Sequence, residues 1–275
     1  MTVQDIKEVP DAGLFGLQTI YDLQEELIKP YIGIEGLPDY PLDVDTKENQ
    51  TLLKDFIGRI IEEMGEAYQE FELLYALAQA KDKDEDKMLA HLNAFNEEVS
   101  DAIHFFLELL IYINIEAVSV WGYNEKLMNE LNLNLEADGI ANLLKVAEHH
   151  NRLEGRKHIA NQTGYHIGTP FSLSAEGVDE FTRAGRKVGP EQMADTKAML
   201  WDITYNLQMV RNELKNKPWT QTGHPTNTEI LQETAMQSFL HFMCWLSYMG
   251  HTPKSIFTIY YKKNQVNQQR IKDKR

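Results

Sequence analysis

Cysteine is nearly absent: the 275 residues hold one, Cys244, so no disulfide framework exists. It stands among Phe242, Met243, Trp245 and Leu246, the setting of a small buried hydrophobe rather than of a nucleophile. Positive charge is scarce as well. The chain carries 27 Lys and Arg against 42 Asp and Glu, a net charge of −15, with a pI near 5.0. That balance argues against an electrostatic nucleic-acid surface, and it means that a polyanionic substrate would need metal ions to screen it. Long apolar runs are missing too. No stretch approaches the roughly 18 apolar residues of a membrane span, and the start of the chain shows no charged n-region followed by an apolar h-region. The expectation is a cytoplasmic, reducing compartment with neither membrane nor nucleic acid as a partner. A hydrophobic content of 43% with 25% charged residues is ordinary, and the length suffices for one large core, so a single domain over 1–275 is expected.

Helical periodicity dominates what is there. Leu17, Ile20, Tyr21, Leu23, Leu27 and Ile28 predict an amphipathic helix that closes at Pro30. From Tyr31 to Asn49 the glycines, prolines and acids read as an exposed connector or mobile flap. A helix over about Leu52–Ala80 places Leu53, Phe56, Ile57, Ile60, Met64, Ala67, Phe71 and Leu74 in one stripe. The mixed-charge run Lys81–Lys87 reads as a solvated turn between antiparallel helices. The next helix, about Met88–Glu116, buries Leu92, Phe95, Val99, Ala102, Phe106, Leu109 and Ile113.

Beyond it, 118–151 looks helical but less regular, and 152–190 shows no period; a short hairpin around Tyr165 or a loop covering a site are its two readings. A helix over Pro190–Lys215 follows, then Trp219, either stacked on a base or packed at a helix end. In the intensely apolar stretch Thr228–Tyr248, His241-Phe242 echoes His104-Phe105, a weak repeat that sets Ala235 and Ser238 where Glu98 and Asp101 stand. The last helix has Thr252 as N-cap, Pro253 at its first position, and Ile256, Tyr260, Lys263, Asn267 and Arg270 along one face. The pattern predicts an all-α bundle of antiparallel helices with a four-helix metal-site core. Metal-site helices would cover about 52–116, a long irregular insertion about 118–225, and closing helices about 228–270.

The chemistry-bearing feature is Glu62-Glu63-x-x-Glu66 followed by Glu97-Glu98-x-x-Asp101. Carboxylates three residues apart share one side of a helix, so two packed helices can aim four of them at one point. At about 100° per residue Glu63 falls beside the apolar stripe, Glu66 a step further round and Glu62 nearly opposite. Glu98 lies within the stripe of its own helix, where an unpaired carboxylate would cost several kcal/mol. Glu62 and Glu97 point to solvent, and His104 projects away from Asp101. All-oxygen ligation selects Mg²⁺, with Mn²⁺ as a substitute, rather than zinc. Lys263, Asn267 and Arg270 suit either a phosphate clamp or a solvated helix end.

These segments resemble a known family, the all-α nucleoside triphosphate pyrophosphohydrolases, and within it the dimeric dUTPases and the phage dCTPase/dUTPase enzymes. The likeness rests on Glu62-Glu63-x-x-Glu66, on Glu98-x-x-Asp101-x-x-His104-Phe105, on Lys263-x-x-x-Asn267-x-x-Arg270, and on Leu23-Gln24-x-x-Leu27 near the start. It implies an all-α fold, a homodimer, and Mg²⁺ held by Glu63, Glu66, Glu98 and Asp101, with Glu63 and Glu66 the catalytic pair. It further implies that Lys263, Asn267 and Arg270 contact the phosphates, that Gln24 contributes to the nucleoside pocket, and that cleavage between the α- and β-phosphates gives a monophosphate and pyrophosphate. The expected substrate is dUTP first and dCTP second. The alternatives are a purine dNTP or, in a different class, a non-catalytic helical interaction protein, for which Glu98 has no scaffold rationale.

Overall fold

Two long helices joined by a short link, each burying a stripe on the other, must run antiparallel. In the computed structural model, which describes residues 16–80, 84–122, 129–131, 133, 139–156, 190–217 and 219–273, α2 (Lys47–Gln79) and α3 (Glu85–Tyr112) do so. Their contacts step in opposite directions: Phe56 meets Tyr112 with ring centroids 5.4 Å apart, and Phe71 meets Phe95 at 6.3 Å. Every residue of the two expected stripes is buried. α2 begins a turn before Leu52 because the Thr46 hydroxyl accepts the Asn49 amide at 3.3 Å, a side-chain cap. Asp84 caps α3 in the same way through Lys87 N at 3.1 Å, and Asn114, at φ 63°, turns the chain shortly after the helix ends, ahead of the expected Glu116.

Helix α1 (Leu17–Glu35) corrects the expected stop at Pro30. It continues through the proline and ends at Gly36, whose φ of 68° is the left-handed conformation that glycine adopts without strain. Pro30 removes one N–H from the ladder, and the burial of Leu27 and Ile28 just before it holds the axis.

The segment expected to be an irregular insertion contains, among the described residues, α4 (Ala117–Gly122), α5 (Gly139–Leu153) and α6 (Pro190–Glu213). The hairpin expected around Tyr165 lies outside the described residues, as do positions 81–83 of the charged turn. Helix α7 (Thr228–Met249) packs on α6 and α5, and α8 (Pro253–Lys272) packs on α3 and α1. At the start of α8 the expected cap is doubled: Thr252 Oγ1 accepts Ser255 N at 3.1 Å, and Ser255 Oγ accepts Thr252 N at 2.8 Å.

The fold is an all-α bundle. One buried cluster runs from Leu17 on α1 to Tyr260 on α8, and at its centre Trp245 lies between Phe95 and Phe242 with centroids 6.1 and 5.9 Å away. Among the described residues no helix is long and apolar enough to cross a membrane.

The connector between α1 and α2 is fastened rather than a loose flap. Leu42 is buried and donates its amide to Tyr112 O at 2.9 Å, while the Tyr112 hydroxyl donates to Pro38 O at 3.3 Å. Its far end is tied to the segment before α7 through Gln50, which accepts Asn216 N at 2.7 Å and donates to Val44 O at 2.9 Å. Trp219, 80% exposed, is not packed at a helix end.

Candidate metal centre and adjoining cavity

Glu63 and Glu66 share one side of α2, and the antiparallel packing of α3 brings Glu98 level with them. One carboxylate oxygen from each lies within 4.8 Å of the other two. Glu98 is half-buried, as is Glu63; Glu62 is exposed, as its helical position requires. Two half-buried carboxyls this close, Glu63 and Glu98, disfavour each other's charge. Burial, the Asp101 charge and the hydrogen bond and charge of Glu98 push the Glu63 carboxyl up to about 8. Glu98 is also raised, by burial first and then by Asp101 and Glu66 against the relief of its hydrogen bond with Glu63. At neutral pH one proton therefore bridges Glu63 and Glu98, in the place where an all-oxygen donor set would otherwise accept a hard divalent cation.

Asp101 is not part of this convergence. Its Oδ2 accepts Lys263 Nζ at 2.6 Å, and Glu97 Oε1 accepts the same ammonium at 2.7 Å. The expectation that Glu97 points to solvent is thereby corrected. Glu97 and Asp101 are four residues apart, so both reach one cation when α8 packs against that flank of α3. The Lys263 side chain is only 6% exposed. Burial disfavours its charge, but Asp101 and Glu97 outweigh that and its pKa is raised. Asp101 stays above its ordinary value, because burial exceeds the help from Lys263.

Beside the acidic cluster lies a cavity of about 350 Å³ walled by four helices. Helix α8 contributes Lys263, Asn267 and Arg270; α2 contributes Glu63, Arg59 and Phe56; α3 contributes Asp101, His104, Phe105 and Glu108; α1 contributes Leu27 and Tyr31. The shared face expected for Lys263, Asn267 and Arg270 thus opens on a cavity with carboxylates opposite. Asn267 Oδ1 accepts Arg270 Nη1 at 3.4 Å, which steadies the exposed guanidinium at the rim.

Gln24 does not line the cavity. It is fully buried behind the wall, where Nε2 donates to Glu108 Oε1 at 3.1 Å and Oε1 accepts the Tyr260 hydroxyl at 2.9 Å. Its place is that of a residue positioning Glu108. His104, expected to project away from the site, instead lines the cavity on the same side as Asp101. Its ring stacks on Tyr260 at 4.4 Å, and burial, which outweighs its bond to the Ser100 carbonyl, pushes its pKa down to about 4.

Glu108 went unmarked by the motifs. Burial, with the Glu35 charge, raises its carboxyl to about 8 against the opposing Arg59 charge and the Gln24 hydrogen bond. The signal that marks Glu98 was present here as well, a carboxylate inside the apolar run Phe105–Ile111.

Comparison of the chain with protein-family models, with curated proteins and with solved structures returned no match.

Proposed function

We propose that this protein is a Mg²⁺-dependent pyrophosphohydrolase that cleaves a deoxynucleoside triphosphate to the monophosphate and pyrophosphate, in the manner of the all-α enzymes its motifs resemble. The observation that carries this reading is the convergence of Glu63, Glu66 and Glu98 beside a cavity whose facing wall holds Lys263, Asn267 and Arg270.

Glu63, Glu66 and Glu98 would hold Mg²⁺, with Mn²⁺ as a substitute. When bound, the ion supplies charge neutralisation on the phosphates and lowers the pKa of water. The chain's own residues do the rest. Lys263 gives two of its three N–H donors to Glu97 and Asp101 and keeps one for a phosphate oxygen. Arg270, steadied by Asn267, meets the outer phosphates at the rim. Water attacks the α-phosphorus, the bond to the pyrophosphate oxygen breaks, and the carboxylate of Glu63 or Glu66 would take the proton that the water loses. Homodimerisation belongs to the same reading, supported by the exposed ladder Trp201, Tyr205 and Met209 along α6.

The deciding experiment is pyrophosphate release across the four dNTPs and dUTP with and without Mg²⁺. Release is expected only with the ion; no release from any of them would overturn the reading.

Protons and the cation compete for the same oxygens, which fixes a pH dependence. Glu63 titrates near 8 in the folded protein against an ordinary 4.5. Its contribution to metal-free stability is therefore full below about 4.5 and is lost as pH rises through about 8. Mg²⁺ affinity runs the other way, strengthening by up to about tenfold per pH unit below 8 and levelling above it. Calorimetry at pH 7 in two buffers of different ionisation enthalpy should register about one proton released per ion, and a pH-independent affinity would contradict the assignment.

A further inference from the structure

The inner end of the cavity presents hydrogen-bond acceptors that the protein leaves unsatisfied. His104 Nδ1 meets Ser100 O at 2.8 Å, and because a carbonyl only accepts, that nitrogen carries the ring's proton. His104 Nε2 is then a bare lone pair, buried and without a partner. One turn further along α3, on the same face, stands the Glu108 carboxyl. Its Oε1 receives the Gln24 amide, and Gln24 is fixed in that orientation by Tyr260 on its oxygen. Among the described residues no ion pair involves Glu108. Arg59, whose charge acts on Glu108 from outside ion-pair range, is held by Asp55 Oδ2 at 2.9 Å and lies over the Phe105 ring, 5.4 Å from its centroid.

Glu108 lies ten residues beyond Glu98, about 15 Å along the helix axis. That places it where the base of a nucleotide would lie if its phosphates sat at the acidic cluster, with Phe105, Phe56, Leu27 and Tyr31 supplying apolar and aromatic surface around it.

Resting on the pyrophosphohydrolase reading, we propose that Glu108, with His104, selects a nucleobase carrying an exocyclic amino group beside a ring nitrogen, of the cytosine or adenine type, over its carbonyl counterpart. An amino group has two hydrogens and satisfies two acceptors one helical turn apart. A carbonyl oxygen at the same position sets lone pair against lone pair at His104 Nε2, whatever Glu108 does. The proton that Glu108 retains at neutral pH then faces the adjacent ring nitrogen, an acceptor in both cytosine and adenine. This reorders the substrates expected from the motif resemblance, placing dCTP ahead of dUTP.

The test is equilibrium binding, which reads base recognition whether or not the protein hydrolyses anything. Calorimetry with dCMP against dUMP, and dAMP against dIMP, compares pairs that differ in an amino group against a carbonyl together with the ring-nitrogen protonation that goes with it. In at least one pair the amino member is expected to bind at least about tenfold more tightly. Glu108→Gln keeps the shape and offers either an oxygen or an NH₂ to the ligand, so the ratio should fall by at least about threefold while His104 keeps the remainder, with circular dichroism and Tm confirming the fold. Equal or tighter binding of the carbonyl members, an unchanged ratio in Glu108→Gln, or no binding by any of the four would overturn the inference. A carbonyl preference accompanied by Mg²⁺-dependent pyrophosphate release removes this inference and leaves the proposed activity standing; an amino preference without such release does the reverse.

Discussion

Glu98→Gln is expected to reduce Mg²⁺-dependent pyrophosphate release by roughly a thousandfold or more, about 4 kcal/mol of transition-state stabilisation, with the fold unchanged. Glutamine matches glutamate in shape, so the packing of α2 on α3 stays as it is. What is lost is one anionic oxygen of the three that converge within 4.8 Å. In the metal-free protein that charge is a burden, since burial and the neighbouring carboxylates raise the Glu98 pKa. The variant should therefore melt at the same temperature as the parent or higher, and the Mg²⁺-dependent rise in Tm expected of the parent should be absent from it. Opposite movement of stability and activity separates a ligand from a merely structural residue. Wild-type turnover in Glu98→Gln would remove the metal assignment.

How much of this was legible in the sequence depended on how many neighbours each helix has. Helix α2 behaves as a one-stripe helix: the period set Leu53 through Leu74 inside and Glu62 outside, and the structure agrees. Helix α3 is touched by α1, α2, α7 and α8, so a second flank is buried that no single stripe describes. That is why Glu97 and His104, assigned to the open side, prove to face Lys263 and the cavity. A one-dimensional period reports one contact direction, whereas a central helix in a bundle has several.

Gln24 shows a related limit. The motif resemblance placed it in the nucleoside pocket, but a motif carries position along the chain and not depth from the surface. In the structure the cavity is reached through Glu108, with Gln24 behind it. Local signals did better where the cause is local, at the Thr252 and Pro253 start of α8. They failed at Pro30, where burial of the preceding turn overrides the residue's own preference.

Lys263→Met is expected to cost about 3 kcal/mol of stability, at the low end of the range for removing one partner from a buried ion pair. Methionine is apolar and similar in length, so the loss is electrostatic rather than a cavity. Without the ammonium, Asp101 and Glu97 face one another across the space it filled. The low end applies because Glu97 is 38% exposed and water screens it, while Asp101, 20% exposed, bears most of the loss. Urea unfolding at pH 8 without divalent cations reads the effect directly, and a change under about 1 kcal/mol would show that the pair contributes nothing net. Adding Asp101→Asn should restore part of the loss, since it removes the carboxylate that the lysine neutralised. Mg²⁺ makes the single variant informative about the site as well. Asp101 has two alternative positive partners, the Lys263 ammonium that it meets in this structure and the cation that the motif resemblance assigns to it. If it turns to the cation once the lysine is gone, Mg²⁺ should stabilise Lys263→Met by more than it stabilises the parent. An equal increment in both would mean that Glu63, Glu66 and Glu98 bind the ion without it.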